Sequence, residues 1–388
     1  MIQKSVPVKY NTFVKLLAFY FMSLVLGALS LGVFGSLLRV FAFLPVLWWL
    51  LTKRTIVLSK PLLAAICFLG FSTISLFWSI DMSSTLIKNI GSISLLILLC
   101  VSSGYKYSTE DIAFLKKALV WSSRITALVV MFAGGTIESR VILTGLLVED
   151  PNYLNAYYLF GVVNAVECIL SSIKYYQQIG YLLELGLYMY LVFASGSRGG
   201  VLAIICAMFI ATVGSFLRNK ISLKILFFPV LLIMFTFILM LILPYILPQE
   251  VLQRFDVQSI IDSQGTGRYQ LWKDYLHLFS TSPFWRQLVG YGGAVTFTLS
   301  NQALFVFVNV SHNIFVEHLV TIGIIGVGLY IIMIYQFIRA AFFRRNIFAI
   351  SVLGGVLMLS MSTVFEGKVY WNILIFIICL VNLIKSVK

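Results

Sequence analysis

Long apolar stretches recur along nearly the whole chain and leave it few ways to fold. Hydrophobic residues make up 60% of the chain and charged residues only 11%, a composition that excludes an ordinary soluble domain. Helical stretches of about 17–25 apolar residues match the thickness of a bilayer. We place about twelve such spans, at 14–32, 35–52, 61–79, 85–104, 118–135, 153–173, 178–196, 199–217, 225–247, 312–336, 347–365 and 369–385. The chain is therefore predicted to be an all-α, polytopic integral membrane protein.

The basic residues are divided unequally between the two predicted faces of the membrane. The net charge is +14, and most of the 28 Lys and Arg residues fall in alternate connections, whose only acidic residues are Glu110 and Asp111. This is the positive-inside distribution of a membrane protein and not a nucleic-acid patch. It predicts cytoplasmic termini. We treat residues 1–388 as a single transmembrane domain with an external loop at 248–311.

No residue pattern points to a metal or a disulfide. The five cysteines lie within apolar stretches, and the acidic residues of the long external loop are widely scattered. A metal-independent reaction without a cofactor is favoured.

Two arginines on the predicted outer face are candidates for binding phosphate. Arg198 is flanked by glycines in Gly196-Ser197-Arg198-Gly199-Gly200, which leaves its guanidinium little steric cover. Arg268 begins a segment with helical periodicity, in which His277 lies on the opposite face. The residues predicted to share the face of Arg268 include Leu271, Trp272, Tyr275 and Leu276. A guanidinium binds phosphate through two parallel hydrogen bonds. The alternative for both is an arginine that reaches the lipid headgroups without specific function.

His312 opens an apolar helix within Ser311-His312-Asn313. An imidazole titrates near neutral pH and is suited to removing a proton from a sugar hydroxyl. The alternative is a histidine that only caps the helix. Glu317 and His318, over a turn deeper, are candidates for orienting this site or for bonding between helices.

The external loop 136–152 supplies further candidates. Asp150 followed by Pro151 is a common helix start, with Asp as the N-cap and Pro in the first turn. This structural role explains both residues without a catalytic or binding function. Arg140 and Asn152 are candidate contacts for phosphate or sugar. Elsewhere, Arg124, Glu167 and Glu184 lie at similar depth on the opposite side of the membrane and are predicted to form a structural ion-pair cluster.

These motifs, in this order and spacing, resemble the O-antigen ligase and polymerase superfamily of bacterial membrane enzymes. The resemblance is carried from about Asp150 through Ser197-Arg198-Gly199, Gly267-Arg268 with Trp272, Pro283 with Gly290, Ser311-His312-Asn313, and Gly323 to Gly326. It implies an integral-membrane glycosyltransferase with a fold like that of the type C glycosyltransferases. The enzyme would lie in the bacterial plasma membrane, with its active site on the outer face. The donor and acceptor would be glycans linked to undecaprenyl diphosphate. Membrane lipids and other polysaccharide-assembly proteins would be its further partners.

The same resemblance implies roles for individual residues. Arg198 and Arg268 would hold the diphosphate leaving group, and His312 would be the general base. Substrate-binding candidates are Arg140, Asp150, Asn152, Trp272 and Asn313. The Asp150-Pro151-Asn152 signal favours a polymerase of repeat units. A ligase that transfers polysaccharide to lipid A core and a flippase for lipid-linked oligosaccharide are the alternatives.

Overall fold

The computed structural model describes residues 10–24, 33–52, 55–137, 139–142, 151–171, 174–218, 241–256, 258–259, 267–303, 310–364 and 368–384. Its helices are α1 (Thr12–Met22), α2 (Val33–Thr52), α3 (Lys60–Ile74), α4 (Met82–Ser103), α5 (Thr109–Ala133), α6 (Pro151–Ser171), α7 (Tyr175–Ala194), α8 (Arg198–Arg218), α9 (Gln249–Gln253), α10 (Arg268–Thr281), α11 (Phe284–Val289), α12 (Thr296–Gln302), α13 (Ile314–Phe343), α14 (Ile347–Ser360) and α15 (Lys368–Val381). A two-stranded antiparallel hairpin, β1 (Gly135–Ile137) and β2 (Arg140–Ile142), follows α5.

The predicted class, an all-α membrane protein, is confirmed. Within the described ranges, five stretches are long and apolar enough to cross a membrane: Lys60–Trp78, Met82–Ser103, Asn152–Ser171, Arg198–Arg218 and Ile314–Phe343. Shorter apolar helices accompany them at Thr12–Met22, Phe43–Thr52, Ile347–Ser360 and Val369–Val381. The count of about twelve stays a prediction, because most of the span expected at 225–247 lies outside the described residues.

Two local structures differ from the sequence analysis. Helix α5 begins at Thr109, well before the expected residue 118, because Ser108 and Asp111 form a capping box that satisfies the first main-chain N–H groups. The external stretch after α5 was expected to be loop, and its first residues form the β1–β2 hairpin.

The helices pack into one bundle around α6, α8 and α14. Helix α8 lies against both α14 and α6, and α13 packs along α3. Small residues permit this close approach, as where Gly355 of α14 meets Ala203 and Ala207 of α8. The hydrophobic core formed by these helices holds the ends of α8 and α14 in fixed positions, and the candidate site lies on those ends.

The connections between helices gather at two ends of the bundle. At the end we call the site end, the Asn313 Nδ2 amide donates to Met361 O at 3.2 Å, so the start of α13 meets the end of α14. At the opposite end, Tyr107 N donates to Asn382 O at 3.1 Å, which ties the start of α5 to the end of α15. Connections predicted to be external therefore share one end, and the membrane face that this end occupies stays a prediction.

Helix α13 is kinked at Gly323. Gly323 has φ 68°, and a Cβ there would lie 2.3 Å from Leu288 O, so only glycine fits. Near the kink, Val320 O accepts a hydrogen bond from Tyr291 N at 3.1 Å, and Thr321 O accepts one from Gly292 N at 2.8 Å. The segment after α11 thus bonds directly to the helix that begins beside His312.

The same segment is attached to the turn between α3 and α4. The Trp78 indole donates to Val289 O at 3.1 Å, and Arg286 Nη1 donates back to Trp78 O at 2.9 Å. Thr298 Oγ1 donates to Asp81 at 2.9 Å. Hydrogen bonds, first from the Ser84 main chain, hold the pKa of Asp81 below its usual range, so this acceptor is ionised at neutral pH. These bonds fix the described part of the external segment to the bundle.

Candidate active site

His312 occupies a main-chain conformation that few non-glycine residues adopt. Its φ is 52°, in the left-handed region, where histidine is among the more tolerant side chains. Both neighbours are anchored. Trp272 Nε1 donates to Ser311 O at 2.7 Å, and the Asn313 side chain caps α13 by accepting from Phe315 N at 2.9 Å. Strained backbone held by its surroundings is concentrated at functional sites, which supports a functional role for His312.

Glu317 reinforces this turn from within the bundle. Its side chain is buried and accepts hydrogen bonds from Ser311 Oγ at 2.9 Å, Ser311 N at 3.3 Å and Thr296 Oγ1 at 2.7 Å. A buried carboxyl group is stable only with such partners. Tyr275 continues the network by donating to Thr296 O at 2.8 Å, and burial raises its pKa above the usual range, so it stays protonated. The residue before His312 is therefore fixed by α10, α12 and α13 together.

Arginines converge on the turn between α7 and α8. Arg140 Nε donates to Ser195 O at 2.8 Å, and Arg254 Nε donates to Gly196 O at 3.2 Å. Arg198 Nε in turn donates to Arg254 O. Gly196 has φ 62°, and a Cβ there would lie 3.0 Å from Arg254 Cδ and 3.2 Å from Arg140 Nε. Glycine is thus needed both for the conformation of the turn and for the approach of the arginines.

The convergence concentrates positive charge at the site end. Arg254 and Arg268 are both close enough to repel the Arg198 guanidinium electrostatically. In the part of the chain that the structure describes, neither Arg198 nor Arg254 forms an ion pair with a carboxylate. Two ion pairs among the described residues, Lys116–Glu167 and Arg124–Glu184, lie elsewhere in the bundle. Guanidinium groups that converge in this way are suited to bind a phosphate-bearing anion.

The connection 361–364 contacts both groups of candidate residues. One group surrounds the turn between α7 and α8, which we call the arginine turn, and the other is Ser311-His312-Asn313, which we call the His312 turn. Met361 O accepts from Asn313, as described above, and the next residue, Ser362, packs against Gly199, where an added Cβ would lie 1.9 Å from Ser362 Oγ. Gly199 directly follows Arg198. Tyr153 OH also donates to Val364 O at 3.2 Å, which places the start of α6 at the same connection. The two groups of candidate residues therefore flank one short segment.

The structure brings most of the sequence candidates to this end. Arg198, Arg268 and Arg140 surround the arginine turn, while His312, Asn313 and Trp272 form the second group. Asn152 lies beside Tyr153 at the start of α6, and Asp150 falls outside the described residues. The roles of these residues stay predictions. His277 is exposed on α10, as its position on the helical wheel predicted.

The ion pairs differ in detail from the predicted cluster. Arg124 does pair with Glu184, through two hydrogen bonds of 2.9 Å each. Glu167 pairs instead with Lys116, because the neighbouring helices α5 and α6 bring these two side chains together nearer the opposite end.

Arg254 was missed by the sequence analysis. It belongs to none of the motifs, and its contacts are with residues more than fifty positions away, which a local pattern does not show. The one available signal was its place, as a further arginine, in the predicted external loop.

Comparison with known proteins bears on residues at the centre of this site. Residues 185–331 match the family model described as O-antigen ligase. No curated protein matches the chain. One similar chain belongs to a solved structure described as "Structural coordination of polymerization and crosslinking by a peptidoglycan synthase complex". The two chains are 16% identical in sequence, the match covers 83% of this chain and 94% of that chain, and the TM-score is 0.47. The resemblance predicted from the sequence is confirmed by the family match: residues 185–331, which include Arg198, Arg268 and His312, are similar to the O-antigen ligase family.

Proposed function

We propose that the chain polymerises oligosaccharide repeat units linked to undecaprenyl diphosphate, by metal-independent glycosyl transfer at the outer face of the plasma membrane. The product would be O-antigen or capsular polysaccharide. One observation carries the proposal: the arginine turn and the strained His312 turn flank the same short segment at the site end. A transferase needs such a pairing of an anion site with a candidate base.

The arginines would bind the leaving group of the donor. Glycosyl transfer breaks the bond between the anomeric carbon and a phosphate oxygen, and the bonding electrons stay with the diphosphate. Preorganised positive groups stabilise the charge that develops there, in place of a metal ion. Arg198, with its Nε on the Arg254 carbonyl, and Arg268 at the start of α10 are the residues that we assign to this task.

His312 would activate the acceptor. The imidazole removes the proton from a sugar hydroxyl as the hydroxyl oxygen bonds to the anomeric carbon. The anchored Ser311 and Asn313 would keep the imidazole in place without reorganisation during the reaction. His312, which would accept the proton, thus lies on one side of the 361–364 connection. The arginines, which would stabilise the charge of the leaving group, lie on the other.

A donor on a lipid carrier agrees with the predicted topology. If the site end is external, nucleotide sugars are not available to it, and the donor must bring its own leaving group. Arg268 is suited to a lipid substrate because it begins an amphipathic helix whose Leu271 and Tyr275 are buried against the bundle.

A ligase is the second candidate, and the description of the matching family, O-antigen ligase, favours it. It would use the same donor chemistry with a lipid A core acceptor. The polymerase rests on the Asp150-Pro151-Asn152 signal. A flippase is less well supported, because a carrier needs polar groups along an alternating path and the described candidates collect at one end.

Deletion of the gene, followed by analysis of lipid-linked intermediates, tests the three functions. Loss of a polymerase leaves single repeat units on the carrier at the outer face. Long carrier-linked chains would instead identify the ligase, and single units confined to the cytoplasmic face would identify the flippase. Complementation with wild-type protein and with the His312→Ala variant, at matched membrane levels, separates loss of chemistry from loss of the protein.

A further inference from the structure

Arg254 and Arg198 are bonded to each other's segments. Arg198 Nε donates to Arg254 O, and Arg254 Nε donates to Gly196 O, two residues before Arg198. These two hydrogen bonds therefore link the α7–α8 turn to the residues after α9. Neither the family motifs nor the sequence analysis assigns a role to Arg254.

Each of the two guanidinium groups is held by the same kind of hydrogen bond. Each uses its Nε–H for a main-chain carbonyl, which fixes the plane of the group. Within the described residues, the terminal nitrogens of Arg198 and Arg254 make no hydrogen bond to protein. A guanidinium held by one N–H and presenting its terminal nitrogens is prepared for bidentate binding of an anion.

Bringing like charges together is unfavourable unless an anion joins them. Arg254 and Arg268 both act electrostatically on Arg198, and desolvation adds to the cost of its charge. This arrangement fits a ligand whose negative charge exceeds that of a single phosphate. A diphosphate joined to a lipid and to a sugar carries a negative charge on each phosphate, and the departing diphosphate acquires a further one.

We infer that Arg254 is a further catalytic residue, one that binds the leaving diphosphate and stabilises the charge that it gains in the transition state. The inference rests on the proposed function. In the step, the bond between the anomeric carbon and the phosphate oxygen breaks, and its electron pair remains on that oxygen beside Arg254 and Arg198. The acceptor oxygen forms the new glycosidic bond, and its proton passes to His312. The products are the extended glycan and a polyprenyl diphosphate.

An interaction that strengthens in the transition state affects turnover more than donor binding. Arg254→Gln removes the charge but leaves the Arg254 carbonyl, so Arg198 keeps its anchor. We expect a loss in kcat of about 10²–10³-fold, the usual cost of removing one such group, with a much smaller change in KM. Arg254→Lys keeps the charge without the planar fork and should recover part of the turnover.

The experiment uses purified full-length protein in nanodiscs with a synthetic lipid-linked donor. It measures kcat, KM, inhibition by added undecaprenyl diphosphate, and thermal unfolding for wild type, Arg254→Gln, Arg254→Lys and Arg198→Gln. Lys273→Gln, at an exposed position of α10, is the matched control for loss of one positive charge, and its kcat should equal that of wild type.

We expect Arg254→Gln to lose turnover and to weaken inhibition by undecaprenyl diphosphate, at an unchanged unfolding temperature. If Arg254→Gln keeps wild-type turnover and inhibition while Arg198→Gln loses both, the inference is wrong and the proposed function stands. If Arg254→Gln lowers the unfolding temperature and Arg254→Lys recovers nothing, Arg254 is only a brace for the turn. Wild-type protein that neither transfers sugar nor binds undecaprenyl diphosphate would overturn the proposed function itself.

Discussion

The Trp272 indole donates a hydrogen bond of 2.7 Å to the main-chain oxygen of Ser311, the residue immediately before His312. Trp272 lies in the first turns of α10, the helix that Arg268 begins. One short helix therefore carries a candidate phosphate ligand and also holds the turn that presents the candidate base. This relationship couples the two halves of the proposed chemistry.

Trp272→Phe tests the coupling. Phenylalanine keeps an aromatic ring at this position but cannot donate to Ser311 O, so the His312 turn loses one of its anchors. We expect kcat to fall by about tenfold, the effect of losing about 1.4 kcal/mol of positioning, with donor KM nearly unchanged. Steady-state kinetics on purified protein measure both values. Tyr269→Phe, at an exposed position of the same helix, is the control, and equal activity of Trp272→Phe and wild type would show that the bond has no role in positioning.

Arg198 and Arg268 are predicted to be required for polymer formation and dispensable for the fold. Arg198→Ala and Arg268→Ala should each abolish polymer while membrane levels stay near those of wild type. Lysine at either position should rescue poorly, because it cannot form two parallel hydrogen bonds to phosphate. Polymer length is read on gels from complemented deletion strains. Full activity of either alanine variant would remove that arginine from the site, and turnover that increases with added divalent metal would argue against metal-independent transfer.

Parts of this account were readable from the sequence because they depend on local pattern. The periodicity after Arg268 predicted a helix with an inward face and an outward His277, and Leu271 and Tyr275 are indeed buried. Leu276 was expected on the same face and is 46% exposed, since the contact with the bundle is narrower than the apolar face. Hydropathy likewise predicted the membrane class.

Other parts depend on contacts between distant residues. Arg254 meets Arg198 across 56 positions, and the sequence contains no periodic signal that relates them. Glu317 was offered either as an orienting residue or as a bond between helices. In the structure, Glu317 accepts hydrogen bonds from Thr296 and Ser311, and only folding of the external segment onto α13 produces that arrangement.

The ion pair between Arg124 and Glu184 is expected to stabilise the bundle rather than to take part in chemistry. Arg124→Gln leaves the partly buried Glu184 without its bidentate partner, at a cost of about 1–3 kcal/mol. Thermal unfolding in detergent should show a lower midpoint, whereas turnover per folded molecule should stay unchanged. The double variant Arg124→Gln/Glu184→Gln should lose less stability than the sum of the single changes. Additive losses would mean that the two side chains do not interact.

Topology is tested by labelling single cysteines in a background that lacks the five native ones. The positive-inside distribution predicts that Ser280, exposed on α10, faces the outside and that Lys174, between α6 and α7, faces the cytoplasm. A membrane-impermeant thiol reagent should therefore label the Ser280→Cys variant in spheroplasts and the Lys174→Cys variant only after permeabilisation. The reverse pattern would place the site end on the cytoplasmic face and contradict a donor supplied from outside.

The central claim is that His312 removes the acceptor proton while the arginines hold the departing diphosphate. It is tested most directly by measuring glycosidic bonds formed and polyprenyl diphosphate released by purified protein with a synthetic lipid-linked repeat unit. The account predicts equal amounts of both products from wild type. For His312→Ala it predicts a loss of turnover of about 10²–10⁴-fold with donor binding retained, and for His277→Ala wild-type rates. Undiminished turnover of His312→Ala, or a greater loss in His277→Ala, would contradict it.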